Sequence, residues 1–338
     1  MDRRTIVLRA DGGPNIGIGH LMRMRALGQA LIDAQVDVRF AYQGAPETLL
    51  AQLVNDGLRP ICCDDLGAVL HDLKPDAVVF DGYDFVQDDF ETAQRHGAKA
   101  IIMDDLGLFD EAPGDVLINQ NPGWHASDYR KFKGRLCLGL DFALLRREFY
   151  SAARPERKLQ QSVKNILISG GGGDHKRVGL SCLEALERIN DNQLNLMILS
   201  GPANESKEEL YRLATLSSFN TTIVENITDM VTALSWADLG IFAAGSSLWE
   251  CAWSALPTLA LITADNQLKG AQAMAAAGAT VAMDWRQGGS ASELLQAVAL
   301  MTENKAMRSS LSENARSLVD GQGAKRVCDV ILNTCIQR

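Results

Sequence analysis

The sequence predicts an α/β protein built as two Rossmann-like domains facing a cleft. Three observations carry that expectation. Short apolar runs rich in β-branched residues alternate with longer segments of helical period along the whole chain. The same opening, a strand running into a glycine-rich turn and then a helix, occurs over residues 5–35 and again over 165–190. Between the two lies a polar, charged stretch, SAARPERKLQQSVK at 151–164, which reads as an interdomain linker. A chain of 338 residues suits two domains of ordinary size, here 1–150 and 165–338.

The elements follow in order. TIVLRA (5–10) is a strand and HLMRMRALGQALIDAQ (20–35) a helix. VDVRFAYQ (36–43) is the next strand and PETLLAQLVNDG (46–57) the next helix. DAVVFDG (76–82) and KAIIMDD (99–105) are strands that end in acidic residues, and VLINQN (116–121) and GRLCLGLDF (134–142) are two more. Beyond the linker, NILIS opens the second series, followed by strands at NLMILSG, TTIVEN, DLGIFAA, PTLALIT and TVAMDW, and the segment from residue 291 onward is mostly helical. Strands separated by helix-length crossovers form parallel sheets covered on both faces. Ligands of such sheets bind beyond the carboxyl ends of the strands.

Composition removes several classes of function. The net charge is −9 with no Lys/Arg-rich stripe, so no nucleic-acid or anionic-membrane surface is expected. Seven cysteines, an odd number with no C-x-x-C pair, suggest neither a disulfide framework nor a zinc ribbon. No apolar stretch approaches the ~20 residues needed for membrane insertion. The opening MDRRTIVLRADGG lacks the features of a signal peptide, so a cytoplasmic location is expected.

Four constellations carry chemistry. In GIGHLMR, Gly17 and Gly19 permit a tight turn, His20 falls in the first turn of a helix as a candidate proton acceptor, and Arg23 follows one turn later. A glycine turn with a polar cap accounts for the same residues, and Met22 breaks the dinucleotide pattern G-x-G-x-x-G. In SGGGGD, Gly171, Gly172 and Gly173 lie between a strand and a helix, where backbone donors can meet an oxyanion; no Lys-Ser/Thr follows, so this is no Walker A loop. In AAGSSLWE, Gly245, Ser246 and Ser247 could meet phosphate and Glu250 the two hydroxyls of a ribose; a serine N-cap with a capping-box glutamate explains them equally well. The acidic group Asp11, Asp81, Asp104 and Asp105 reads as helix caps or hydroxyl contacts, with no metal-ligand cluster evident. Asn119, Asn121 and Tyr129 fall in a loop with less specific roles.

Taken in order, RADGGPNIGIGHLMR, MDD, LIN, LGLDFALLRREF, ISGGGGD and AAGSSLWE…LP…NQ resemble the PseG-type nucleotide-sugar hydrolases of the pseudaminic acid pathway. More distantly, AAGSSLWECAWSALP and the later NQ are similar to the nucleotide end of MurG-type glycosyltransferases. The resemblance implies a GT-B fold with the sugar on the N-terminal domain and UDP on the C-terminal one. It implies hydrolysis of UDP-2,4-diacetamido-2,4,6-trideoxy-β-L-altropyranose, with inversion, no metal and no cofactor, in the supply of a surface-glycan sugar. His20 would then be the base, and the Gly171–Gly173 and Gly245–Ser247 donors would meet the leaving diphosphate. Glu250 would take the ribose, Asn266 and Gln267 would fix the nucleotide or sugar, and Asp11 and Asn119 would contact the sugar. Gly12, Gly13 and Pro14 before GIGH depart from the hydrolase pattern, as does GGGGD in the second half. A glycosyltransferase using the same nucleotide half and a non-catalytic nucleotide-sugar binder are the alternatives.

Overall fold

The computed structural model describes residues 3–13, 17–188, 194–201, 203–225 and 227–336. Pro14 of the departing loop lies outside them, as do the last residues expected for the helix at 175–190 and Asn226 at the end of TTIVEN. The chain divides into two compact units, Met1–Tyr150 with Gly321–Arg338, and Ser151–Asp320.

The first unit contains seven parallel strands: β1 (Thr5–Ala10), β2 (Asp37–Tyr42), β3 (Arg59–Cys62), β4 (Ala77–Asp81), β5 (Lys99–Met103), β6 (Val116–Asn119) and β7 (Arg135–Leu138). Their order across the sheet is β3-β2-β1-β4-β5-β6-β7. Four helices connect them, α1 (Gly19–Asp33), α2 (Glu47–Asn55), α3 (Leu66–Leu73) and α4 (Gln87–Arg95), and a short α5 (Arg147–Ser151) ends the series. The central strands read as unbroken apolar runs because both faces are covered. On one face α1 lays Leu21, Met24, Leu27 and Leu31 against Ile6, Leu8, Phe40 and Val79. On the other, Val7, Val78 and Phe80 pack with Phe90 of α4, Phe109 and Tyr129. The strand β3 was not anticipated. It carries Pro60, which cannot donate to a ladder, and it therefore sits at the sheet edge against β2.

The second unit has six parallel strands: β8 (Asn165–Ser169), β9 (Asn195–Ser200), β10 (Asn220–Glu225), β11 (Leu239–Ala243), β12 (Thr258–Ile262) and β13 (Val281–Asp284). They run in the order β10-β9-β8-β11-β12-β13. The helices are α6 (Val178–Leu186), α7 (Lys207–Leu216), α8 (Met230–Trp236), α9 (Ser247–Trp253), α10 (Asp265–Ala276), α11 (Ala291–Glu303) and α12 (Lys305–Leu318). Each unit is thus a doubly wound, Rossmann-like domain.

Two expectations about boundaries change. The last helix, α13 (Gly323–Ile336), belongs to the first unit and not to a domain running from 165 to 338. Its Ala324, Val327, Val330 and Ile331 join the core beside α1, an apolar stripe that the sequence alone could not assign to either sheet. The polar stretch 151–164 is fastened to the second unit by arginines. Arg157 donates to the carbonyls of Leu234, Ala237 and Ser254, and Arg154 to those of Ala252, Trp253 and Arg316. These acceptors cluster at the carboxyl ends of α8, α9 and α12, whose last carbonyls have no partner within their helices. Among the described residues no helix is long and apolar enough to cross a membrane, and all seven cysteines are free.

Candidate functional site

In the first unit, β1 and β4 are neighbours whose onward connections leave in opposite directions across the sheet, which makes their carboxyl ends the topological switch point. β1 leads to α1, and Asp81 closes β4 directly beside Ala10. Gly17 takes φ +75°, a left-handed conformation suited to glycine, and turns the chain into α1. A Cβ at Gly19 would meet nothing within 4 Å, so the helix start faces open space.

His20, buried at the second position of α1, places Nδ1 2.7 Å from Asp81 Oδ1. Arg23 donates Nε to Asp81 Oδ2 at 2.8 Å and Nη1 to both oxygens of Asp105, at 2.7 and 2.8 Å. Burial alone would push the Asp81 carboxyl up, but Arg23 and His20 outweigh it and hold the group well below the usual carboxylate range. Burial likewise works against the Arg23 guanidinium, and Asp105 and Asp81 overcome it and keep the cation charged. An ionised Asp81 can only accept hydrogen bonds, so Nδ1 of a neutral His20 carries the hydrogen and Nε2 keeps its lone pair. In that neutral form the Asp81 bond favours one tautomer and leaves Nε2 as the acceptor nitrogen.

Tyr83 packs edge-to-face on the His20 ring, centroids 4.7 Å apart, with its hydroxyl 3.4 Å from Asp105 Oδ2. Asn121 Nδ2 donates to Asp105 Oδ1 at 2.7 Å and to Asn119 Oδ1 at 3.1 Å. Asn119 is fully buried, with Nδ2 donating to the Tyr129 hydroxyl at 2.9 Å. Burial first, and then Asp104 nearby, pushes the Tyr129 hydroxyl far up, so it stays protonated.

Several expected contacts therefore change role. Asn119 is too enclosed to touch a sugar and instead positions Asn121. Arg23 is the buried counter-charge of Asp81 and Asp105 and does not reach outward. Asp81 is neither a cap nor a hydroxyl contact but the partner of His20. Asp104 folds its own loop, accepting from the N–H groups of Leu106, Gly107, Leu108 and Phe109. Asp11 accepts from Arg9 and from the Gln43 N–H through Oδ1 and lines a cavity. The pairing had a sequence signal: an aspartate ending the wholly apolar run AVVFD and an arginine on an apolar helix face both require buried partners. Nothing in the linear order said that the two partners were each other.

In the second unit, the glycine loop follows β8. Asp174 closes it by accepting from the N–H groups of Val178 at 2.6 Å and Gly179 at 2.9 Å, which delays the start of α6 to Val178. Among the described residues the N–H groups of Gly172 and Gly173 meet no acceptor, and Gly171 N–H reaches Ser169 Oγ only at 3.4 Å. Gly201, which the sequence reading passed over, supports this loop: a Cβ there would stand 2.2 Å from the Gly172 carbonyl oxygen. After β11, Ser246 precedes α9 without a side-chain cap hydrogen bond to it. Gln267 Oε1 accepts from the Thr263 N–H at 2.8 Å and from its hydroxyl at 3.1 Å, fastening the turn into α10. Its Nε2 lies 4.0 Å from the Cβ position of Gly245, and Asn266 adjoins it.

Residues 165–328 match the glycosyltransferase family 28 C-terminal domain. The UDP-2,4-diacetamido-2,4,6-trideoxy-beta-L-altropyranose hydrolase of Campylobacter jejuni is 25% identical over 62% of this chain and 74% of its own length. The chain is a distant homologue of that hydrolase and of family 28 glycosyltransferases. The spore coat polysaccharide biosynthesis protein SpsG of Bacillus subtilis is 26% identical, over 95% of this chain and 96% of its own. An uncharacterised protein of Methanocaldococcus jannaschii is 25% identical over 76% of this chain, which spans only 55% of that longer protein. The fold is that of Acinetobacter baumannii MurG, whose crystal structure matches with a TM-score of 0.69 and 18% identity over 98% of this chain and 100% of that one.

Proposed function

We propose that the protein hydrolyses a UDP-amino-sugar, releasing UDP and the free sugar, with UDP-2,4-diacetamido-2,4,6-trideoxy-β-L-altropyranose or a close relative as substrate. The observation that carries this reading is the buried His20–Asp81 pair, a fixed imidazole with Nε2 free to accept a proton. Nε2 takes a proton from water as the water oxygen bonds to the anomeric carbon, and the carbon–oxygen bond to the diphosphate breaks with inversion. The homology to the Campylobacter hydrolase supports water as the acceptor. The family 28 match supports the second unit as the nucleotide side.

There, the N–H groups of Gly171–Gly173 and of Ser246 and Ser247 meet the charge that grows on the departing diphosphate, while the Gly245 N–H is already taken by the Ala243 carbonyl at 2.8 Å. Glu250 accepts from the ribose hydroxyls, and Asn266 with Gln267 orients the nucleotide. Glu250→Ala lowers UDP affinity by roughly ten- to a hundredfold, the size of a lost hydrogen bond to a charged group. Isothermal titration with UDP reads it, and an unaltered affinity returns Glu250 to a structural role. Gly201→Ala displaces the Gly172 carbonyl and weakens UDP binding in the same titration, while the fold, followed by circular dichroism, persists.

The deciding assay supplies candidate UDP-sugars without any acceptor and measures free UDP. Release under those conditions supports the hydrolase. The family 28 match also favours a glycosyltransferase reading; release that appears only on adding a sugar acceptor supports that one. No release in either case leaves a nucleotide-sugar binder.

A further inference from the structure

The charges behind His20 do not balance. Arg23 is one guanidinium between two carboxylates, Asp81 and Asp105, so the group carries a surplus negative charge while the His20 ring is neutral. Burying Arg23 needs a single carboxylate partner. Asp81, fully enclosed and bonded to Nε and Nη2, already provides it. Asp105 is the surplus. It takes Nη1 on both oxygens, and its side chain is 11% exposed. Its other neighbours, the Asn121 amide and the Tyr83 hydroxyl, are donors, as a carboxylate requires.

Arg23 also reaches the imidazole itself: Nη2 lies 3.4 Å from His20 Nδ1. A cation at that distance opposes a second proton on the ring. Among the described residues, the titratable groups in contact with the ring are Asp81 from β4, Arg23 from α1 and Tyr83 from the loop after β4. Asp81 is shared between the ring and the guanidinium, so Asp105, after β5, decides the sum. With it, protonation at Nε2 takes the group from surplus negative charge to neutrality. Without it, the same step would take the group from neutrality to a buried positive charge.

We propose that Asp105 is a positioning residue for the base: it neutralises Arg23, so that the His20 ring can take a proton at Nε2. The inference rests on the hydrolase reading only for calling His20 a base. Asp105 acts through Arg23 rather than on the ring. A purely structural Asp105 would tie its loop to α1 and leave the proton affinity of the ring alone.

Nitrogen-edited NMR of the imidazoles reads that affinity directly, with His20→Asn identifying the His20 signal among the five histidines. In Asp105→Asn the ring takes its second proton at lower pH, its proton affinity down about three- to tenfold. Asp105→Glu keeps the charge and titrates as the wild type does. Asp105→Ser, which admits water beside Arg23 at this partly exposed position, gives the same result as Asp105→Asn and replaces it if the asparagine variant does not fold. In the kcat profile of UDP release, Asp105→Asn has a lower plateau and an acid limb at lower pH; a merely damaged site loses rate without moving that limb. An unmoved titration in the neutral variants overturns the proposal, and so does a drop in Asp105→Glu as large as in Asp105→Asn. The titration needs no turnover. A lowered His20 titration in a protein that releases no UDP therefore faults the hydrolase reading alone, and UDP release with an unmoved titration faults the role of Asp105 alone.

Discussion

His20→Asn lowers the rate of UDP release by about 10²–10⁴-fold, the contribution of a positioned general base. UDP affinity stays near wild type, because the nucleotide roles are assigned to the second unit. The asparagine amide can still meet Asp81, so the buried carboxylate keeps a donor and the fold is spared. The drop therefore appears in kcat, measured from released UDP at saturating substrate. Undiminished turnover in the folded variant removes His20 from the chemistry and returns GIGH to a turn with a polar cap.

Asp81 gives the other large effect, and it acts on stability and rate through different variants. Asp81→Ala leaves Arg23 buried with Asp105 alone and strips His20 of its acceptor. Removing one member of a buried ion pair costs about 3–5 kcal/mol, which urea denaturation reads as a lower midpoint at unchanged slope. Asp81→Asn is milder for the fold but not for the reaction. Its amide can donate to Nδ1, which moves the ring hydrogen to Nε2 and removes the acceptor that the reaction needs. Turnover falls into the range expected for His20→Asn, and the double variant is little worse than either single one, since the two residues act as a unit.

The same carboxylate makes stability depend on acid. Its pKa in the folded protein is depressed below the ordinary value of about 3.9. The stabilisation is complete above that ordinary value and is lost as pH falls toward the depressed one. Urea midpoints measured from pH 5 down to pH 3 decline in the wild type, and the part due to Asp81 disappears in Asp81→Asn. An identical decline in both proteins would show that other carboxylates set the acid limit.

The sequence made the sheets legible because buried parallel strands are nearly pure apolar runs, and TIVLRA, AVVFD, KAIIM, NILIS and LGIFA each met that description. Local signals failed where a residue's surroundings come from far along the chain. RPIC was hidden by its proline, tolerable only because β3 is an edge. His20 stood out by its place at a helix start, whereas Asp81 read as a cap or hydroxyl contact and Arg9 as an ordinary strand residue until the fold brought their partners to them. The glycines of GGGGD were visible as a loop, but the aspartate that ends it caps a helix, and the glycine that makes room for it lies on the next strand connection.

The return of α13 to the first unit has a consequence for synthesis. Every residue of the second unit leaves the ribosome before the last helix of the first does. The second unit can complete its sheet and core as a contiguous stretch, in the domain-by-domain manner of multidomain chains. The first unit must wait, with the face of α1 that receives Val327 and Ile331 still uncovered, until α13 emerges. Vectorial translation thus completes the earlier unit only after the one inserted in its sequence, and the His20 imidazole on α1 gains its full packing only once α13 has emerged.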